Sequence, residues 1–217
     1  HLLFILIPLH LFFAKKAEYN VNNDFETTMF INKINVTLIE QLISQLKRNI
    51  SAGNDNLVAE NIIYSHPALI VHLKLLYSLI VIHGYVPNDF GIGTIVPVPK
   101  ETINAKNNCT SKYRPITIIP IIAKLFEMLL LELVPELKMS SNLQYGFKEG
   151  LGCRNALFLL SKITDHFNSR GSNIYIASMD ASKAFDRVNR YELFLAMYDR
   201  GLSNVFISII SNWYPKL

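Results

Sequence analysis

Two carboxylates draw attention first: Asp180 and Asp186, in the string Ile174-Tyr-Ile-Ala-Ser-Met-Asp180-Ala-Ser-Lys-Ala-Phe185-Asp186. Asp180 closes a short apolar run that is expected to be a buried strand. A carboxylate at the end of a rigid strand, beside an open loop, is held well enough to ligate a metal. Its hard oxygens suit Mg²⁺, which takes one or two protein carboxylates and fills its shell with water and phosphate oxygens. Residue type alone leaves an equal alternative, in which Asp180 only caps the helix that follows. Asp186 by itself reads as a solvated or ion-paired helix residue, and Phe185 by itself as core. Upstream stand two cations of different kinds. Arg114 offers a planar fork for phosphate oxygens and Lys100 a compact charge, although each alone also reads as a solvated loop residue.

These residues need elements to hold them. Ile92 to Val98 is short, β-branched and bounded by Gly and Pro, which predicts a strand confined to an edge by Pro97 and Pro99. Arg114 to Ile119 reads as a second strand, giving a hairpin around a polar loop over 100–112. Ile121 to Leu133 and Asn155 to Phe167 read as amphipathic helices, the latter preceded by a Gly-bearing loop from Ser140 to Gly152. Ile174 to Met179 is expected as a short strand, with Ser182 to Val188 turning helical. Two further helices, 190–200 and 203–213, are parted by Gly201. Nearer the N-terminus, Thr37 is the expected N-cap of a helix with Leu38, Leu42, Ile43 and Leu46 on one face, ending near Ser51-Ala52-Gly53. Leu69 to Ile82 is apolar nearly all round and predicts a buried helix, ended by Gly84 and Pro87. Residues 18–35 are polar and Asn-rich and read as a linker.

Composition narrows the class. Half of the 217 residues are apolar, enough for one or two domains with a substantial core and too many for a disordered chain. The net charge of +4 permits a nucleic-acid partner without demanding one, and no Lys/Arg block is present. Cys109 and Cys153 lie far apart with no CxxC neighbour. That argues against a zinc site or disulfide framework and favours a reducing, intracellular compartment, nucleus or cytoplasm. Leu2 to Phe13 is apolar but short for a bilayer span, and no basic residue precedes it as in a signal peptide. The Asn-x-Ser/Thr triplets at Asn35, Asn49 and Asn108 are of a kind that arises readily by chance. No P-loop or dinucleotide fingerprint occurs.

Taken as a whole, Asp180-Ala-Ser-Lys-Ala-Phe-Asp186 resembles the first catalytic palm motif of reverse transcriptases from non-LTR (LINE-type) retrotransposons, roughly D-x-S-K-A-F-D. Val96-Pro-Val-Pro-Lys100 and Lys112-Tyr-Arg-Pro-Ile116 resemble the P-I-P-K strand and the Y-R-P-I signature of that family's fingers. Gln144-Tyr-Gly-Phe-Lys-Glu-Gly150 is similar to its Q-x-G-F-R/K-x-G segment, although Gly152-Cys153 stands where the family usually has Ser-Thr. Ser51-Ala-Gly-Asn-Asp55 resembles its K-A-x-G-x-D block without the Lys. Order and spacing agree from about residue 36 to the end.

The resemblance implies a helix-rich α/β (α+β) polymerase right-hand fold. An apolar leader and linker would occupy 1–35, fingers 36–170, and a partial palm 171–217. It makes Asp180 the catalytic aspartate and a ligand of Mg²⁺. It puts Lys100, Arg114 and Phe185 at the incoming nucleotide, Phe185 as the gate beneath the sugar. It puts Gln144, Gly146, Lys148 and Arg154 along the template. The implied partners are an RNA template, a DNA primer and dNTPs, with no obligate protein partner evident. The family's later palm motifs, a Gly-Gln block and an F/Y-A-D-D hairpin, do not occur in the 217 residues. Together with His1 in place of Met, this reads as a fragment of an RNA-directed DNA polymerase, inactive alone. Two-metal transfer needs carboxylates that bridge both ions, and Asp186 does not replace the absent pair. Two alternatives remain open. One is a non-catalytic nucleic-acid-binding relic of a decayed element. The other, resting on residues 2–13 alone, is a secreted or membrane-associated protein.

Overall fold

The computed structural model describes residues 23–100, 112–182 and 184–216. The apolar leader, most of the 100–112 loop and Lys183 lie outside them. The chain divides into two compact units, one built from residues up to Val134 together with Arg190–Leu217, the other from Pro135–Asn189.

The first unit is helical around an aromatic core. Its elements are α1 (Asn23–Lys33), α2 (Val36–Ser44), α3 (Ala59–Ile63), α4 (Ala68–His83), β1 (Thr94–Pro99), β2 (Tyr113–Ile118), α5 (Ile121–Leu133), α7 (Arg190–Asp199) and α8 (Asn204–Trp213). α5 starts and stops where its amphipathic pattern does, burying Ala123, Leu125, Phe126, Leu129, Leu130 and Leu133. Phe126 lies at the centre. Tyr77 of α4 and Trp213 of α8 stand 5.3 and 5.5 Å from its ring, and Phe90 sits 6.2 Å away edge-on. Such tilted and edge-on pairs add to the large burial that each aromatic ring brings. The Tyr77 hydroxyl donates to the Ile122 carbonyl at 2.9 Å, so the buried phenol is satisfied while it ties α4 to the start of α5.

Three expectations need correction. Residues 23–33 form α1 instead of a linker. Phe30 is buried, and Glu26 accepts from the Ser203 hydroxyl and the Asn204 N–H, both at 3.0 Å, so it caps α8 from far along the chain. Those tertiary contacts override a weak local pattern. The cap of α2 is Asn35, whose side chain accepts the Leu38 N–H at 2.8 Å, and Thr37 lies inside the helix. α4 is buried on one side only. Leu73, Tyr77, Ile80 and Val81 face the core, while Val71, Leu75, Leu79 and Ile82 are exposed along the other. It ends, as expected, at Gly84 in the left-handed region.

β1 and β2 form the expected hairpin, antiparallel with Val98 opposite Arg114 and Pro97 opposite Pro115. The Lys100 N–H donates to the Lys112 carbonyl at 2.9 Å, which makes that pair, and every second pair from it, hydrogen-bonded. Pro97, Pro99 and Pro115 all fall on the intervening pairs, where no N–H is required of them. Their rings line the outer edges, so neither strand offers a full ladder to a neighbour. Among the described residues the sheet is two-stranded.

The second unit consists of turns over 135–152, α6 (Cys153–Asn168) and an irregular stretch to Asn189. None of its described residues is buried. Gly152 has no side chain to cap α6, and the Asn155 amide oxygen accepts the Gly152 N–H at 3.0 Å instead. This local brace stands where the absent Ser-Thr hydroxyls would have acted. The expected strand Ile174–Met179 does not form. The segment carries no ladder, and Tyr175 and Met179 are 94% and 101% exposed. A strand needs a neighbour to bond its backbone, and among the described residues of this unit there is none.

Candidate functional site

The hairpin places its cations by register. Residues directly opposite one another share a face, and faces alternate along each strand. Val96, Val98, Arg114 and Ile116 therefore belong to one face, and Ile95, Pro97, Pro99, Tyr113, Pro115 and Thr117 to the other. Lys100, singled out from the sequence with Arg114, lies just past the end of β1, where its N–H bonds the Lys112 carbonyl at the same end of the hairpin as Arg114. Lys100 and Arg114 are exposed. Three cations at one end of a β-hairpin, two of them point charges and one a fork, can hold several phosphate oxygens at once.

The base of the hairpin is fixed by a residue of the weakest motif. A Cβ on Gly53 would lie 3.1 Å from the Ile119 carbonyl carbon and the Pro120 nitrogen, so a larger residue fits against the end of β2 only if that backbone gives by a few tenths of an ångström. Nearby, the Glu60 carboxylate accepts the Asn49 N–H at 2.7 Å, and that bond holds its pKa below the usual carboxylate range. Sequence reasoning missed a groove of about 710 Å³ beside this base, lined by Leu46, Gly53, Val58, Ile118, Lys124 and Glu127 among others. Its walls come from the loop after α2, the start of α3, β2 and α5, and no single stretch of sequence signals it.

Asp180 lies in the second unit, exposed, within the irregular stretch. The helix expected over 182–188 shrinks to one 3-10 turn, Phe185–Arg187, with Ala184 at its cap position and no side-chain cap. The reading of Asp180 as a helix cap therefore fails, and its carboxylate is left open to solvent. Asp186 is exposed in that turn. Among the described residues no group of three His, Cys, Asp or Glu side chains comes together.

The Gln144–Gly150 segment is a chain of turns in the same unit. The Gln144 side-chain amide donates to the Gly146 carbonyl at 3.0 Å, so part of its hydrogen-bonding capacity braces the turn. Gly146 has open space around its α-carbon. Lys148 is half-buried and Arg154, in the first turn of α6, is exposed. No described helix is long and apolar enough to cross a membrane.

Residues 98–217 match the family model described as reverse transcriptase (RNA-dependent DNA polymerase). The chain is also similar to three curated proteins of Drosophila melanogaster. The retrovirus-related Pol polyprotein from type-2 retrotransposable element R2DM is 26% identical over 140 residues, covering 63% of this chain and 13% of that protein. The probable RNA-directed DNA polymerase from transposon BS is 24% identical over 189 residues, covering 82% and 20%. The RNA-directed DNA polymerase from mobile element jockey is 22% identical over 185 residues, covering 81% and 19%. The chain thus spans at most a fifth of the length of these relatives.

Proposed function

The chain belongs to the reverse transcriptase family, and from that premise we propose that the protein containing it copies an RNA template into DNA as the RNA-directed DNA polymerase of a non-LTR mobile element. The observation that carries this reading is the string Asp180–Asp186, complete within the matched region, with Asp180 exposed and not used as a helix cap. In the proposed right-hand architecture, residues 36–170 belong to the fingers and 171–217 begin the palm. Lys100 and Arg114, at one end of the hairpin, bind the triphosphate of a dNTP and neutralise charge that builds on the departing pyrophosphate. Phe185 lies beneath the sugar and fills the space a 2′-hydroxyl would need. Gln144, Gly146, Lys148 and Arg154 follow the template strand, which can approach the backbone closely at Gly146.

Reverse transcriptases work with a divalent metal. The exposed Asp180 carboxylate fits Mg²⁺ as one hard-oxygen ligand, and the rest of a two-metal set is not found among the described residues. Mg²⁺, when bound, offsets the charge of the phosphates around the reacting phosphorus. Asp180 would supply one carboxylate to hold that ion.

The test is primer extension on an RNA template, using the chain carried through a further roughly 100 downstream residues or more, a typical domain's worth. Mg²⁺-dependent DNA synthesis that disappears in Asp180→Ala is the expected result. A soluble, folded extension without synthesis would instead identify a non-catalytic relic of a decayed element, the reading that the Gly152-Cys153 departure favours. The 217 residues contain no adjacent pair of aspartates, so this chain alone is expected to incorporate no dNTP.

A further inference from the structure

Phe147 occupies a conformation that a bulky side chain rarely adopts. Its φ is +58°, in the left-handed region, and its ring is 96% exposed, so burial does not hold it there. Two things do. The Gln144 amide braces the preceding Gly146 carbonyl at 3.0 Å. The ring itself meets Phe185 edge-to-face, centroids 6.3 Å apart and planes at 89°. Phe185 is also largely exposed, at 79%. Two apolar rings held together at the surface by a strained turn serve no core, and backbone strain of this kind collects where a ligand must be met. The T-shaped arrangement sets the electropositive edge of one ring on the π-face of the other, which fixes ring orientation as well as position.

We propose that Phe147 is a positioning residue for Phe185: it sets the ring that separates deoxyribose from ribose. The inference rests on the reading of Phe185 as the gate beneath the sugar. Without Phe147 the Phe185 ring gains rotamer freedom and yields to a 2′-hydroxyl.

Two measurements test this. In the 217-residue chain, Phe147→Gly keeps the left-handed turn, which glycine adopts freely, and deletes the ring. The Phe185 ring proton resonances should move, because they lose the ring current of a close edge-to-face neighbour. In the extended polymerase, the ratio of kcat/KM for a dNTP over the matching rNTP should fall about two- to tenfold in Phe147→Gly, the factor that an aromatic pair energy converts to. The change should lie mainly in a lower KM for the rNTP. Phe147→Tyr should restore the ratio. In a Phe185→Val background, deleting Phe147 should change nothing more, since the two act as one unit.

An unchanged ratio in Phe147→Gly, with Phe185→Val lowering it, would leave the gate standing and overturn the role of Phe147. So would Phe185 resonances that do not move. An unchanged ratio in Phe185→Val would overturn the gate itself and the inference with it.

Discussion

Arg114 and Lys100 illustrate what a single residue contributes to this chain. Both are exposed, and what distinguishes them is position: strand pairing and the Lys100–Lys112 backbone bond gather them with Lys112 at one end of the hairpin. A guanidinium bonds two phosphate oxygens in a fixed plane, and an ammonium does not. Arg114→Lys in the extended polymerase should therefore raise the KM for dNTPs about tenfold or more, the scale of one lost charge-assisted bond, and leave folding intact. Steady-state kinetics beside a circular dichroism melt would check both parts. Equal KM values would remove Arg114 from the nucleotide site. The identities of Arg114, Asp180 and Phe185 were legible because their motifs are local strings. The pairing of Phe185 with Phe147 was not, since it joins two turns well separated in sequence.

At the scale of elements, patterning served well wherever a segment buries one face. The hairpin, α5, α7 and α8 lie close to where periodicity and the Gly and Pro positions put them. It served poorly where a distant segment supplies the reason to fold. α1 is held by Phe30 in the core and by Glu26 at the start of α8, and neither partner is visible from an Asn-rich stretch. The strand expected over 174–179 failed for the converse reason, because an apolar run without a neighbouring strand among the described residues has no ladder to satisfy its backbone. Gly53 gives a test at this scale. Gly53→Ala must displace the backbone at Ile119–Pro120 by a few tenths of an ångström, with an expected loss of about 1–3 kcal/mol. Urea denaturation would measure it, and a variant as stable as the parent would show that the loop relaxes freely.

For the molecule as a whole, the two units differ in kind. The first has a core centred on Phe126, into which Tyr77 is locked. Burial pushes the Tyr77 phenol above the ordinary tyrosine value near 10. Below that value the phenol is neutral in both folded and unfolded chains, and its stabilisation is complete. As pH rises past it, only the unfolded chain ionises readily, so stability falls. Tyr77→Phe should lose about 1 kcal/mol at neutral pH with its hydrogen bond and show a shallower alkaline decline. Urea midpoints at about pH 8 and about pH 11 would reveal the sign. The second unit exposes Leu157, Phe158, Leu160, Ile163 and Phe167 along α6. Contiguous apolar surface of that kind favours association. The chain should bind hydrophobic dyes and self-associate as its concentration rises. Ile163→Lys should reduce both, and light scattering that stays flat for the parent chain would contradict this expectation.

The sequence by itself determined the chemistry on offer: which strings of residues are present, in what order, and where a helix or hairpin has one face to bury. Those are matters of identity and short-range period, and they are written along the chain. Tertiary structure decided which side chains share a face and which segments find a partner. It put Lys112 beside Lys100 and Arg114, freed Asp180 from the cap role, made Glu26 a cap for α8, and set Phe147 against Phe185. The physical reason is that burial, strand pairing and ring contacts are satisfied in space by residues far apart in sequence, where no local pattern records the match.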